Sequence, residues 1–256
     1  MGKGGKQVQK FTREEISKHD RQGDKWIIID GEVYNITHWA RKHPGGSKVI
    51  SHYAGQDATD AFTAFHNNKE DIRKYLKAIH VGSVVETDIK TKHSDIEHDF
   101  RRLRETAENM DLFKPSYLFY AVHLGHILLM EVLAYVTLYY FGTGWIPFLV
   151  SVLLYSTVQA QTGWLQHDFG HLSVFKNSAI DHFIHFFTMG FTKGASPSWW
   201  NHMHYQHHAK PNVMDKDPDV RVEKLFVVGE KMPVEMAKNK SSMPYNWQHR
   251  YFFVSK

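Results

Sequence analysis

The side chains best placed for chemistry in this chain are histidines, and they gather. Asn201-His202-Met203-His204-Tyr205-Gln206-His207-His208 carries four imidazoles in eight residues. At about 3.6 residues per helical turn, His204, His207 and His208 share one face at i, i+3 and i+4, and His202 lies off it in a supporting or structural place. Upstream, His167-Asp168-Phe169-Gly170-His171 presents a second pair at i, i+4, again on one helical face. Five imidazoles offered in this way suit a transition metal such as iron, copper or zinc. The alternative is a histidine-rich loop without metal, and the occurrence of two clusters beside apolar segments weighs against it.

Composition narrows the chemistry. The chain has 256 residues, enough for one or two domains, and no cysteine, which excludes disulfides, thiolate zinc sites, iron–sulfur clusters and thioether-attached haem, and fits a reducing compartment. The net charge of +4 is mildly basic. The basic residues lie near apolar segments and form no stripe, so they point to a membrane surface and not to nucleic acid. Residues 1–7 are expected to be a disordered start. Gly2 resembles a myristoylation site, but Lys6 stands where Ser or Thr is needed, and no apolar run follows to make a secretory signal.

The elements that position the first histidines are short. Trp26-Ile27-Ile28-Ile29 and Val33-Tyr34-Asn35-Ile36 flank Asp30-Gly31, which predicts a β-hairpin over 25–36. Thr37 can cap a short helix that must end before His43-Pro44, because the residue preceding proline avoids helical angles. His43-Pro44-Gly45-Gly46 is then a rigid turn whose glycines let the backbone come close to something bulky. Asp57 can cap a helix through Ala58–Phe62, closed by His66. Ile50, Ala54, Ala58, Ala61, Phe62 and Phe65 surround the two histidines. His52, the nearest rival, reads as a surface residue.

These residues carry a resemblance. Trp26, Asp30-Gly31, Tyr34-Asn35, the His43-Pro44-Gly45-Gly46 turn, and His66 following Asp57–Phe62 resemble a cytochrome b5 domain over nearly all of residues 8–83. The resemblance implies an α+β fold that holds haem b, with His43 and His66 as axial ligands. Two imidazoles leave no open position on the iron, so the implied chemistry is electron transfer. The same fold without haem is the alternative.

Residues 84–116 read as a polar linker and an amphipathic helix. Ser94-Asp95-Ile96-Glu97 has the capping-box pattern. Ile96, Phe100, Leu103, Ala107 and Met110 recur at helical spacing opposite Arg101, Arg102, Arg104 and Glu105, which suits the cytosolic interface of a membrane or, equally, packing on a neighbouring domain. Tyr117 to Phe141 is long and apolar enough to cross a bilayer, and after Gly142-Thr143-Gly144 a second segment, Trp145 to Leu165, has spanning length. His123, His126 and Glu131 interrupt the first span as packing or tunnel groups. The loop between the spans lacks Lys and Arg, which flank the pair instead. The positive-inside rule therefore predicts a helical hairpin with both ends cytosolic; two buried helices of a soluble protein are the rival. The apolar run from His182 to Phe191 is too short to cross and reads as interfacial or re-entrant, with His182 and His185 structural. The sequons at Asn35 and Asn239 are expected to be cytosolic and unmodified.

A second resemblance covers about residues 95–254. Gly163-Trp164-Leu165-Gln166-His167-Asp168-Phe169-Gly170-His171-Leu172-Ser173 and Trp199-Trp200-Asn201-His202-Met203-His204-Tyr205-Gln206-His207-His208-Ala209-Lys210-Pro211-Asn212 resemble the first two histidine boxes of membrane fatty acid desaturases. Behind a cytochrome b5 domain they resemble front-end acyl-CoA desaturases of the delta-5 and delta-6 type in vertebrates. The resemblance implies an α+β haem domain followed by an all-α membrane region (117–256, with spans near 117–141 and 145–165) in the endoplasmic reticulum, multi-pass, with the haem domain and boxes cytosolic. It further implies a non-haem di-iron centre with His167, His171, His204, His207 and His208 among its ligands, a polyunsaturated acyl-CoA substrate, O₂ as oxidant, and NADH-cytochrome b5 reductase as electron source. A desaturase oligomer is a further partner the resemblance allows. The family's third box, Gln-x-x-His-His, does not occur in these residues, so the expectation is a fragment or shortened isoform with an incomplete iron site, inactive alone. The alternatives are a membrane-tethered haem electron carrier, a regulatory partner of a full-length desaturase, or, less well matched, a lipid hydroxylase.

Overall fold

The structure, a computed structural model, describes residues 9–66, 69–85, 94–222, 225–238 and 243–255. The expected disordered start, the Asn239 sequon and most of the polar linker lie outside the described residues. The chain divides into two compact units, Met1–Ser94 with His202–Lys256, and Asp95–Asn201.

The first unit is α+β. Its elements begin β1 (Lys10–Phe11), α1 (Arg13–Ser17), β2 (Asp20–Arg21), β3 (Asp24–Ile29) and β4 (Glu32–Asn35), followed by a 3₁₀ turn at Ala40–Lys42. Then come α2 (Ser47–Ser51), β5 (Gln56–Asp57), α3 (Thr59–Phe65), α4 (Lys69–Ile79) and β6 (His80–Val84). The sheet order is β1-β6-β4-β3-β2, with β5 pairing β3. The hairpin forms as its sequence requires, with Trp26 opposite Asn35 and Ile29 opposite Glu32. Asp30 and Gly31 both take positive φ, 51° and 76°, the primed turn whose twist matches that of the strands. Alternation along β3 then fills two cores. Ile28 packs with Ile16, Val33 and Val84, and Ile27 and Ile29 pack with Ile36 and Ala58, because successive side chains point to opposite faces.

Two local expectations are corrected. Thr37 caps no helix. Its hydroxyl accepts from the Lys25 backbone N–H at 2.9 Å, and the chain makes only the 3₁₀ turn before His43. The hairpin edge is a better-placed donor than a helix too short to nucleate. A capping box unremarked in the sequence closes α1: Thr12 Oγ1 accepts from the Glu15 N–H at 3.1 Å, and Glu15 Oε2 accepts from the Thr12 N–H at 2.8 Å. Asp57 does serve the start of α3, accepting from both the Thr59 N–H and its hydroxyl.

The second unit is helical: α5 (Ser94–Asn109), α6 (Tyr117–Phe141), α7 (Trp145–Gly170) and α8 (Ser178–His185), which runs on as a π-helix over Phe186–Thr192. Of the described helices, Tyr117–Phe141 is long and apolar enough to cross a membrane. α7 has the length, but Ser151, Ser156, Thr157, Gln159, Gln161 and Thr162 make it more polar. α6 and α7 pack as a hairpin around Ile127, Val158, Leu165, Phe169 and Val174, and the buried Ser151 hydroxyl donates across it to the Ala134 carbonyl at 2.9 Å. Their outer faces are apolar and bare: Leu118, Leu129, Val132, Tyr139, Leu149 and Leu153 are all exposed. So are Ile96, Phe100 and Leu103 on α5. His185 is buried, its Nε2 lies 2.9 Å from Gln166 Oε1, and burial pushes its pKa down to about 4, which suits the structural part expected of it.

The remaining helices are α9 (Pro197–Ala209), within which the division between units falls, α10 (Lys231–Ala237) and α11 (Gln248–Ser255).

Candidate functional site

His43 and His66 enter from different elements and meet. His43 follows the 3₁₀ turn and opens the Pro44-Gly45-Gly46 bend; His66 caps the end of α3. Their ring centroids stand 6.2 Å apart. His43 Nδ1 pairs with the Gly46 carbonyl at 3.2 Å and His66 Nδ1 with the Phe62 carbonyl at 2.9 Å. Those bonds orient the rings and leave both Nε2 atoms free, an arrangement typical of metal-ligating histidines. Two imidazole nitrogens each about 2 Å from one metal put the ring centres about 6 Å apart, so the residues present fit an iron held between them. Burial lowers the pKa of both rings, more than their hydrogen bonds raise it, and so favours the neutral form that ligates. A Cβ on Gly45 would lie 2.9 Å from His43 Cε1, so a side chain there would displace the ring from the place the backbone leaves it.

On α9, His204 and His208 bring their Nε2 atoms to 3.0 Å of each other. His207 stands beside them, with centroids 6.0 Å from His204 and 5.5 Å from His208. The three expected to share a face therefore do so, and His202 is exposed. His207 is held from behind. Its Nδ1 lies 2.9 Å from Asp217 Oδ2, and Asp217 is fully buried. Burial alone would raise the Asp217 pKa, but the Asn212 and Asp219 amides at 2.7 and 2.9 Å and His207 outweigh it and hold the carboxyl below its usual range. Asp217 is thus an ionised orienting group that sequence reasoning missed. Its place ahead of Pro218 marks it as a cap of the 3₁₀ turn Pro218–Val220, and that signal says nothing of His207.

In the second unit, His167 and His171 lie one turn apart near the end of α7, their centroids 4.5 Å from each other. Asp168 accepts from the Tyr120 hydroxyl at 2.8 Å and pairs with His167 Nδ1 at 3.1 Å. Trp200 lies edge-on to both rings, at 5.8 and 6.2 Å, and fills the space against Gly170 that a side chain there would need. Asp168 and Trp200 stand inside the histidine motifs, but nothing in their spacing announces these contacts. His52 is not the surface residue expected: it is partly exposed, with its Nε2 buried.

The comparisons with known proteins divide the chain in the same order. The family described as cytochrome b5-like Heme/Steroid binding domain matches residues 12–85, and the family described as fatty acid desaturase matches residues 143–254. Among solved structures, the chain is similar to cytochrome b5 of Ostreococcus tauri virus 2, with 38% identity over 29% of this chain and 95% of that one, at a TM-score of 0.28. It is also similar to cytochrome b558 of Ectothiorhodospira vacuolata, a prokaryotic homologue of cytochrome b5, with 25% identity over 30% of this chain and 99% of that one, at a TM-score of 0.29. The chain therefore joins a cytochrome b5-like domain to a fatty acid desaturase domain, an electron-transfer module fused to an oxidoreductase.

Proposed function

We propose that this protein is a front-end desaturase of the delta-5 or delta-6 type, which takes a polyunsaturated fatty acyl-CoA and introduces a cis double bond with electrons delivered through its own cytochrome b5 domain. The observation that carries the reading is the α9 cluster, which lies inside the desaturase match: two Nε2 atoms converge at 3.0 Å, and a third imidazole is oriented by a buried carboxylate. Imidazoles with a hydrogen-bonded partner behind them are what a non-haem iron site needs. In this reading His43 and His66 hold haem b, and His167, His171, His204, His207 and His208 hold iron.

When bound, haem b supplies one-electron transfer, and the non-haem iron supplies the reduction of O₂ needed to oxidise an unactivated C–H bond. The chain's own residues do the rest. The Gly46 and Phe62 carbonyls keep the haem-side imidazoles oriented. Asp217 keeps His207 in the tautomer that presents Nε2, and Asp168 does the same for His167. A flavoprotein reductase using NADH is the electron source. α6 and α7 form a hairpin in the endoplasmic reticulum membrane with both ends cytosolic, supported by the apolar outer face of α6 and the lysines and arginines that flank the pair.

The test is the fatty-acid profile of cells that lack front-end desaturases, express this chain and are fed C18 and C20 polyunsaturated acids. A new delta-5 or delta-6 product supports the reading, means that the third histidine set is dispensable or supplied by another chain, and names the regiochemistry by its double-bond position. A membrane-bound protein with a haem spectrum but no product overturns the desaturase reading in favour of a tethered electron carrier. In the same preparation, His43→Ala or His66→Ala abolishes the haem spectrum; its survival in both variants overturns the ligand assignment.

A further inference from the structure

The haem-side domain and the histidine segment of α9 touch within one compact unit. The Tyr53 hydroxyl donates to the Ala209 carbonyl at 2.6 Å. That carbonyl belongs to the last residue of α9, where the helix leaves its acceptors without internal partners. The Lys210 ammonium stands 3.9 Å above the Tyr53 ring and donates to Gln56 Oε1 at 2.9 Å, a cation–π contact closed by a hydrogen bond. Lys216 reaches back to the His52 carbonyl at 3.4 Å. Beside this polar seat, the rings of Phe65 and Tyr205 pack edge to face, 6.2 Å apart.

We infer that residues 52–56 and Phe65 are a standing dock for the segment 205–216, so that the cytochrome b5-like domain works from a fixed seat on the histidine helix instead of swinging on a linker. The contacts are of the kind that fixes a pose. A helix end is capped from outside, a cation is held over a ring and by an amide, and an aromatic pair fills the remainder. The dock is tied mechanically to both haem-side histidines. α2, which ends two residues before Tyr53, begins one residue after the Gly46 that orients His43, and Phe65 directly precedes His66. On the far side, Tyr205 lies between His204 and Gln206 in the helix. On the reading that His43 and His66 would hold haem and the box histidines iron, the seat would serve one-electron transfer from a reduced haem to an oxidised iron, with no atom or proton transferred.

Because the chain has no cysteine, the pose can be measured directly. Lys48 and Val213 are exposed, one on each side of the seat. Full-length chain carrying Lys48→Cys and Val213→Cys, labelled with nitroxides and kept with ferrous haem, is expected to give one narrow distance distribution by pulsed electron paramagnetic resonance. Adding Tyr53→Phe and Lys210→Ala, with the haem band unchanged, is expected to widen it by roughly twofold or more, as a domain freed onto a flexible connection samples many positions. Each substitution alone widens it by less, which keeps the test in force should the double variant lose its haem. A broad distribution in the parent, or an equally narrow one in the variants, overturns the dock. Neither outcome depends on non-haem iron or on product formation, so the dock and the desaturase reading fail separately.

Discussion

His207 illustrates how a single residue gains a role from a partner it does not have in sequence. Its ring is oriented by a carboxylate that three hydrogen bonds keep ionised in a buried place. Asp217→Asn leaves the shape nearly unchanged but removes the negative acceptor, and loss of such a partner typically weakens metal affinity by about 10–100-fold. Iron titration of the full chain, read by metal retention after desalting, should show that loss, while the haem band stays in place. The haem-side pair makes a pH prediction. Both rings have folded-state pKa values below the unfolded value of about 6.5. The unfolded chain therefore takes up protons first, and the haem-free protein loses stability as pH falls below about 6.5, with no contribution from these groups at higher pH. The drop in urea midpoint of the haem-free chain between about pH 7.5 and 5.5 should shrink in a His43→Leu, His66→Leu variant, which has no proton to gain there. An equal drop in parent and variant would assign the acid sensitivity to other groups.

At the level of elements, the positions of these residues rest on short pieces made rigid by packing. β3 is fully committed, with Ile28 on one core and Ile27 and Ile29 on the other, so it cannot slip in register without exposing one set. Ile28 is 1% exposed, and truncating such a side chain to alanine costs about 2–5 kcal/mol through lost transfer energy and the cavity left behind. Ile28→Ala should lower the unfolding free energy of the haem-loaded chain, read from its denaturant transition, by an amount in that range, whereas the same change at the exposed Ile96 should leave it nearly unchanged. The bend after His43 is also constrained: a Cβ on Gly45 would lie 2.9 Å from the imidazole and push it aside. α7 shows how one element serves two ends, its middle packed against α6 and its last turn presenting His167 and His171 with Asp168 braced by Tyr120.

The whole molecule combines a domain whose apolar residues are largely inside with helices whose apolar residues are largely outside. Leu118 on α6 is 74% exposed, and Phe141 at its end 75%. A soluble protein gains nothing from such a face, and a bilayer supplies the missing burial. The protein is therefore expected to stay in the membrane pellet through an alkaline carbonate wash; release into the supernatant would leave the bare face of α6 without its proposed solvent.

Much of this was legible in the linear sequence, for local reasons. Asp30-Gly31 between β-formers sets a turn whatever surrounds it, the long apolar run of α6 is a matter of composition, and His204, His207 and His208 share a face because helical periodicity puts them there. The same locality explains the misses. Thr37 had a helix to cap in sequence but found the Lys25 amide across the hairpin, and the capping box at Thr12 and Glu15 lies in a helix too short to show a periodic pattern. The tertiary structure alone decided that His43 and His66 face each other at 6.2 Å, that Asp217 rather than a nearer carboxylate stands behind His207, and that Tyr53 caps α9. Each of those pairings joins residues separated along the chain, so the partner is chosen by how the elements pack and by the cost of leaving a buried polar group unpaired, neither of which residue spacing records.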